Sequence, residues 1–347
     1  MVKKYFSSVI CSKGYSCAYN TIYKKDPSAN VYIVNGDDYE KSVFFSEMTK
    51  HLSGYNITLF NPFYDEATDG IYIKNLNTFI ISDGGYNKIY PVLPGIWEKQ
   101  IDIVKHKNYK TDLLYEILIH KFQENNCYNE ACTILRKASL IKERLHNELS
   151  PYLNEDKVID FIHKFKIRAL KSISVHSKGE IRLLSSPTPL GFHTHYETIF
   201  SLCEKVINIV DETSFIASII SGVIKNCAIR EKIPVIASPS YFNNDFFQFL
   251  IFPTIKTGIC ISDKSHILPF EAYEAVTASR FLTKPDAFVS RNVQILLSVE
   301  EKFLENAILS IYEGRDERYK YNDLSKGYSD PEKAIQSAKK LAEKLLS

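Results

Sequence analysis

Lys41 and Ser42 are the residues best placed to do chemistry: an adjacent cation and hydroxyl that follow a strand-like run, Val31-Tyr32-Ile33-Val34, and a six-residue loop. In a phosphate-binding loop such a pair has defined work. The ammonium meets the β- and γ-phosphates, the hydroxyl meets magnesium, and glycines let backbone N–H groups wrap the phosphate oxygens. The aligned stretch here is Asn35-Gly36-Asp37-Asp38-Tyr39-Glu40-Lys41-Ser42, and both flanking glycines of G-x-x-x-x-G-K-[ST] are missing. Asn35 holds the first position and tolerates positive φ, whereas Glu40 in a glycine-only conformation costs about 1–2 kcal/mol. Asp37, Asp38 and Glu40 put three carboxylates where a triphosphate would lie. One carboxylate opposing one phosphate charge at about 5 Å costs roughly 3 kcal/mol at an effective dielectric near 20. Without nucleotide chemistry, the same residues read as a helix start capped by Asp37 or Asp38.

Asp83 closes a second apolar run, Thr78-Phe79-Ile80-Ile81, and precedes Gly84-Gly85. From there a carboxylate can hold magnesium through water, or it can cap the turn after the strand. Asn35, Gly36, Lys41, Ser42 and Asp83 therefore form the expected, vestigial nucleotide and magnesium site. His193 and His195 could pair as metal ligands, but no third ligand follows from the sequence, and the pair reads as a surface or partly buried one. Asp65, Glu66 and Asp69 read as a solvated loop. Seven cysteines form no C-x-x-C pair, and neither G-x-S-x-G nor H-E-x-x-H occurs. No catalytic residue and no metal ligand is assigned.

The elements that must position Lys41 are a strand over 31–34 and a helix over 41–52, with further strands over 57–60 and 78–81. Short apolar strands alternating with helices predict a parallel sheet covered on both faces. Helical spacing runs from 111 to 170, broken by Pro151 and Asn154. The plan then recurs, with strands over 206–210, 235–237 and 258–261, a helix over 214–225, and a helical tail over 293–346. The recurrence is written in the residues. Gly14-Tyr15-x-x-x-Tyr19-x-Thr21-Ile22 returns as Gly191-Phe192-x-x-x-Tyr196-x-Thr198-Ile199, offset 191 − 14 = 177. Tyr152-x-Asn154-x-Asp156-Lys157 returns as Tyr328-x-Asp330-x-Glu332-Lys333, offset 328 − 152 = 176. Ile80-Ile81-Ser82-Asp83 answers Cys260-Ile261-Ser262-Asp263, offset 180. A period this long exceeds that of solenoid arrays and indicates two tandem domains, 1–172 and 179–347, joined near 172–179.

A net charge of +2 gives no field for nucleic acid, and 24% charged with 45% hydrophobic residues is ordinary for a globular chain. No apolar run of membrane-spanning length and no signal peptide are evident, so the expected location is the cytoplasm.

At these residues the chain resembles a family of tandem P-loop ATPase-like proteins found mainly in low-GC Gram-positive, often spore-forming, bacteria. That family carries a G-G-P-G-x-G-K-S type loop and a strand ending in Asp-Gly-Thr-x-Pro-His in each of two domains, followed by a helical insertion. The resemblance rests on Ser12-Lys13-Gly14-Tyr15, on 31–42, on 78–84, on Pro94-Gly95, and on the helical stretches near Leu135 and Glu300. It implies two tandem P-loop NTPase-like α/β domains with ATP and magnesium as ligands. The first loop keeps only Gly36, Lys41 and Ser42 of that pattern, and Lys88 stands about where the family has its histidine. The second stretch, Asp211-Glu212-Thr213-Ser214, lacks both glycine and lysine, and His266 follows Asp263 where that histidine would fall after a contraction. The expectation is a pseudo-ATPase with a scaffold or regulatory role, no cofactor, internal pairing of its two domains and a protein partner. The alternative is an ATPase with one surviving site at Lys41, Ser42 and Asp83, holding ATP and Mg2+.

Overall fold

The computed structural model describes residues 2–104, 110–170, 179–242 and 246–347. Sixteen strands and eight α-helices are described, and they form the same series twice. In the first copy, strand β1 (Lys3–Phe6) leads into the hairpin β2 (Ser8–Cys11) and β3 (Gly14–Cys17) and the short helix α1 (Tyr19–Ile22). Then come β4 (Asn30–Asn35), α2 (Asp38–His51), β5 (Ile57–Asn61), β6 (Gly70–Ile73), β7 (Thr78–Ser82) and β8 (Glu98–Asp102). Two helices close the copy, α3 (Thr111–Leu149) and α4 (Glu155–Phe165). The second copy repeats this as β9 (Glu180–Ile181), β10 (Ser185–Thr188), β11 (Gly191–Thr194), α5 (Tyr196–Leu202), β12 (Lys205–Val210) and α6 (Phe215–Arg230). It continues with β13 (Ile236–Pro239), β14 (Phe247–Phe252), β15 (Thr257–Ser262), β16 (Glu274–Thr277), α7 (Ala287–Lys326) and α8 (Pro331–Leu346). The joint expected near 172–179 lies, apart from Gly179, outside the described residues.

Each copy builds one six-stranded sheet, β1-β5-β6-β7-β4-β8 and β9-β13-β14-β15-β12-β16, the same order shifted by eight strands. The sheets are mixed rather than parallel throughout, because β6 and β14 run antiparallel to both neighbours. The physical reason is the length of the links. A single 3-10 turn, Lys74–Leu76 closed by left-handed Asn77, joins β6 to β7, and Pro253–Ile255 with left-handed Lys256 joins β14 to β15. A link this short closes a hairpin and cannot carry a crossover helix. The remaining strand pairs within these two sheets are parallel.

Alternation along β4 sorts the core. Val31 and Ile33 face the second copy's sheet, packing with Phe79 and Ile81 against Phe249, Ile251 and Cys260. Tyr32 and Val34 face the other way, onto Phe44, Phe45 and Met48 of α2. The two sheets thus share an inner cluster that also takes in Tyr19 and Ile22 of α1 and Ile199 of α5, while α2 and α8 cover the outer face of the first sheet and α4 and α6 that of the second.

The helical tails cross. α3 and α7, 39 and 40 residues long, are each about 58–60 Å in length and pack along one another. Gly314 sits where a Cβ would come within 2.4 Å of the Tyr128 ring, so the two helices approach closely there. Each long helix delivers its short successor to the opposite copy. Val158, Ile162 and Phe165 of α4 join the core of the second sheet, and Ala334, Ala338, Leu341 and Ala342 of α8 join that of the first. The segment 111–170, counted with the first copy by sequence, therefore places its last helix on the second. No helix among the described residues is long and apolar enough to cross a membrane.

Candidate functional site

The site lies where β4 ends and α2 begins, at the carboxyl edge of the parallel strands β4, β7 and β8. Asn35 is the last residue of β4, and its carbonyl accepts the Ile103 amide at 3.0 Å. Gly36 is needed for space, since a Cβ there would come within 2.6 Å of the Ile103 side chain. Asp37 is the N-cap: its Oδ1 accepts the Glu40 amide at 2.9 Å. Lys41 is buried, and its Nζ donates to the main-chain oxygen of Asp83 at 3.0 Å and pairs with Asp38 Oδ1 at 3.1 Å. Lys41 and Asp83 are thus brought together, while Ser42 is exposed on the wall of a cavity of about 400 Å³. A second cavity, about 480 Å³, opens beside Gly36, Lys41 and Gly84.

The carboxylates of the loop do not act as a group. Asp37 Oδ2 accepts from Ser329 Oγ at 3.0 Å, and Glu40, 0% exposed, accepts the Asp330 amide at 3.0 Å. Both acids therefore anchor the start of α8. Of the three acids expected to crowd a triphosphate, Asp38 pairs with the cation. Capping geometry turns the Asp37 side chain back onto its own helix. The Asp83 carboxylate accepts the Ile89 amide at 3.1 Å and so ties the turn that follows β7.

The residue that completes the arrangement comes from the other copy. Arg318 of α7, 3% exposed, bonds Asp38 Oδ2 through Nη2 and Glu124 Oε1 through Nη1, and its guanidinium lies 3.9 Å over the Tyr64 ring. Burial would raise the Asp38 carboxyl, but the charges of Arg318 and Lys41 hold it well below the usual carboxylate range. Burial pushes Glu124 up in spite of Arg318. Asp69 also lines the 400 Å³ cavity, and it is not the solvated loop residue its neighbours suggested. It accepts from Tyr19 OH and Ser7 Oγ, each at 2.8 Å, and from Asn87, and burial raises its pKa to about 7.

The second copy fills the equivalent place with its own atoms. Asp211 Oδ2 accepts the Ala217 amide at 2.9 Å and Oδ1 accepts the Thr213 amide at 3.0 Å, so a carboxylate occupies the amino end of α6. Lys142 of α3 reaches across, donating to the Glu212 carbonyl at 2.8 Å and pairing with Glu300 at 3.0 Å. Burial raises Glu300 to about 7, with Lys142 opposing. Asp263 holds the Ser265 and His266 amides at 2.8 Å, and the His266 ring joins Asp263 at 3.3 Å to Ser185 Oγ at 2.9 Å. The His193 and His195 rings stand 5.1 Å apart between centroids, and no group of three or more metal-binding side chains is found among the described residues.

Sequence reasoning missed Arg318, Glu124, Lys142 and Glu300. Their signal was present: 318 − 142 and 300 − 124 both equal 176, the offset of the tail anchors. Comparison with family models, curated proteins and solved structures gave no match.

Proposed function

We propose that this chain is a P-loop-type α/β protein that has lost efficient nucleotide binding and hydrolysis, and that it serves as a scaffold or regulatory unit toward a protein partner. One observation carries the reading. Lys41 and Arg318 both close on Asp38, so the positive charge that would receive a terminal phosphate is neutralised within the chain. The position of the loop supports the superfamily assignment, since open α/β sheets bind ligands outside the carboxyl ends of their parallel strands. A magnesium nucleotide would need Ser42 and Asp83 side by side. Ser42 lines the 400 Å³ cavity, whereas the Asp83 carboxylate is committed to the Ile89 amide. That donor set does not fit the ion, and no hydrolytic step is derived through it.

An ATPase with one surviving site is the second reading. It is favoured by the contacts of Asp37 with Ser329 and of Glu40 with Asp330, which engage two of the three loop carboxylates within the chain. There Lys41 would hold the β- and γ-phosphates, with Ser42 and Asp83 on magnesium. Titration with a fluorescent ATP analogue and magnesium separates the two. The first reading expects no saturable binding below the millimolar range. Micromolar saturation that vanishes in Lys41→Ala would overturn it in favour of the ATPase.

A further inference from the structure

A cavity of about 640 Å³, well within the range of small-molecule sites, lies on the second copy between α4 and the amino ends of β12, β15 and β16. It shares no lining residue with the cavities beside Lys41. Its apolar wall includes Phe161 and Phe165 of α4, Ile207 of β12 and Phe281, with the Phe161 and Phe281 rings edge-on and their centroids 5.5 Å apart. The first copy shows what this place can hold. Tyr32 on β4 and Ile207 on β12 occupy the same register, each two residues on from the pairing of Asn30 with Thr78 or of Lys205 with Thr257. Tyr32 is buried, and Lys99 Nζ and Lys344 Nζ lie 5.3 and 5.9 Å from its ring centroid. Ile207 has no ring, is half-buried and lines the cavity. Arg168, 344 − 168 = 176 residues before Lys344, lines it too. The second copy therefore keeps a cation and lacks the aromatic ring that the cation meets in the first.

The charge of the lining is unbalanced. Lys164 pairs with Asp160 at 2.6 Å, and Glu204 pairs with Lys256 outside the cavity. Of the charges left, Lys157, Arg168, Lys205 and Arg280 face a single carboxylate, Glu274. Lys205 lies 4.9 Å over the Tyr273 ring, and among the described residues Lys157, Arg168 and Arg280 form no ion pair. Cations gathered on one lining without counter-charge repel one another and favour an anion. We propose that this cavity binds an aromatic carboxylate, a planar ring bearing one carboxylate group. The ring takes the place that Tyr32 fills in the first copy, against the apolar wall, and the carboxylate pairs with the arginines, whose forked donors suit it. The site is independent of the reading given to the Lys41 loop.

Calorimetric titration of the full chain with phenylacetate and 2-naphthoate, with their uncharged amides, and with octanoate tests this. At least one aromatic acid should saturate below the millimolar range, with its amide and octanoate each weaker by about tenfold or more. Arg168→Gln combined with Arg280→Gln should weaken the acid about tenfold and leave the amide unchanged. Ile207→Tyr restores the ring of the first copy and should abolish binding, while Lys41→Ala leaves it unchanged. If Ile207→Tyr fails to fold, the arginine pair, exposed on the surface, still decides the matter. Absence of saturation by both acids, an amide or octanoate that binds as tightly as the acid, or binding indifferent to the arginine variant would each overturn the proposal.

Discussion

Arg318 and Lys142 stand 176 residues apart and do the same thing in opposite directions. Each rides on a long helix of its own copy, enters the loop region of the other, and pairs there with a buried glutamate, Glu124 or Glu300, that is itself 176 residues from its counterpart. The two copies are therefore joined by a reciprocal pair of buried charges as well as by apolar packing. Breaking one partner of such a pair typically costs about 3–5 kcal/mol, because it strands the other charge.

Arg318→Met should accordingly lower stability by about 3 kcal/mol or more, since Asp38 and Glu124 both lose their counter-charge. Adding Glu124→Gln should recover part of that loss. Chemical denaturation of the single and double variants measures the coupling, and additive losses would show that the pair is not coupled.

Asp38→Ala removes the carboxylate that Lys41 and Arg318 share. The variant should be less stable, by about 2–3 kcal/mol, and should gain affinity for inorganic phosphate and for ATP. Thermal melts with and without phosphate read both effects at once. A variant that melts at the same temperature in either buffer would remove Asp38 as the group that fills the anion position.

Stability should fall as pH rises from about 5 to 7. The pKa values of Asp69 and Glu300 are raised to about 7 in the fold. Over that window the native chain holds protons that the unfolded chain, with its ordinary carboxylates, has already lost. The native state binding more protons makes the slope negative, at most about 1.4 kcal/mol per pH unit for each group. Asp38 acts in the opposite sense, but its contribution changes only at more acid pH, below the ordinary carboxylate value. Denaturation at pH 5, 6 and 7, with Asp69→Asn as the comparison, should show a flatter profile in the variant.

Gly314→Ala introduces a Cβ within 2.4 Å of the Tyr128 ring and should force α3 and α7 apart. A loss of about 1–3 kcal/mol is expected, relieved in part by Tyr128→Leu. Thermal unfolding of the single and double variants checks it, and a neutral Gly314→Ala would mean that the helix pair yields easily.

The strand, loop and helix around Lys41 were legible because continuous apolar runs mark buried strands, and Asp37 is a residue type that caps. Strand β6 was not, since Gly70–Ile73 is short and its antiparallel direction is set by link length rather than by pattern. The destination of the tails was hidden for another reason. An amphipathic helix shows which of its faces is buried, as Ala334, Ala338 and Leu341 do, without naming the surface that buries it. The loop acids could be counted from the sequence but not aimed, because capping and the docking of α8 decide where Asp37 and Glu40 point.

Crossed tails also set an order of events during synthesis. Phe44, Phe45 and Met48 leave the ribosome almost three hundred residues before Leu341, the side chain that shelters them with α8. The amino-terminal half must wait, with that apolar flank bare, until α8 has emerged. A nascent chain arrested before residue 331 should therefore recruit chaperones more strongly than the released protein.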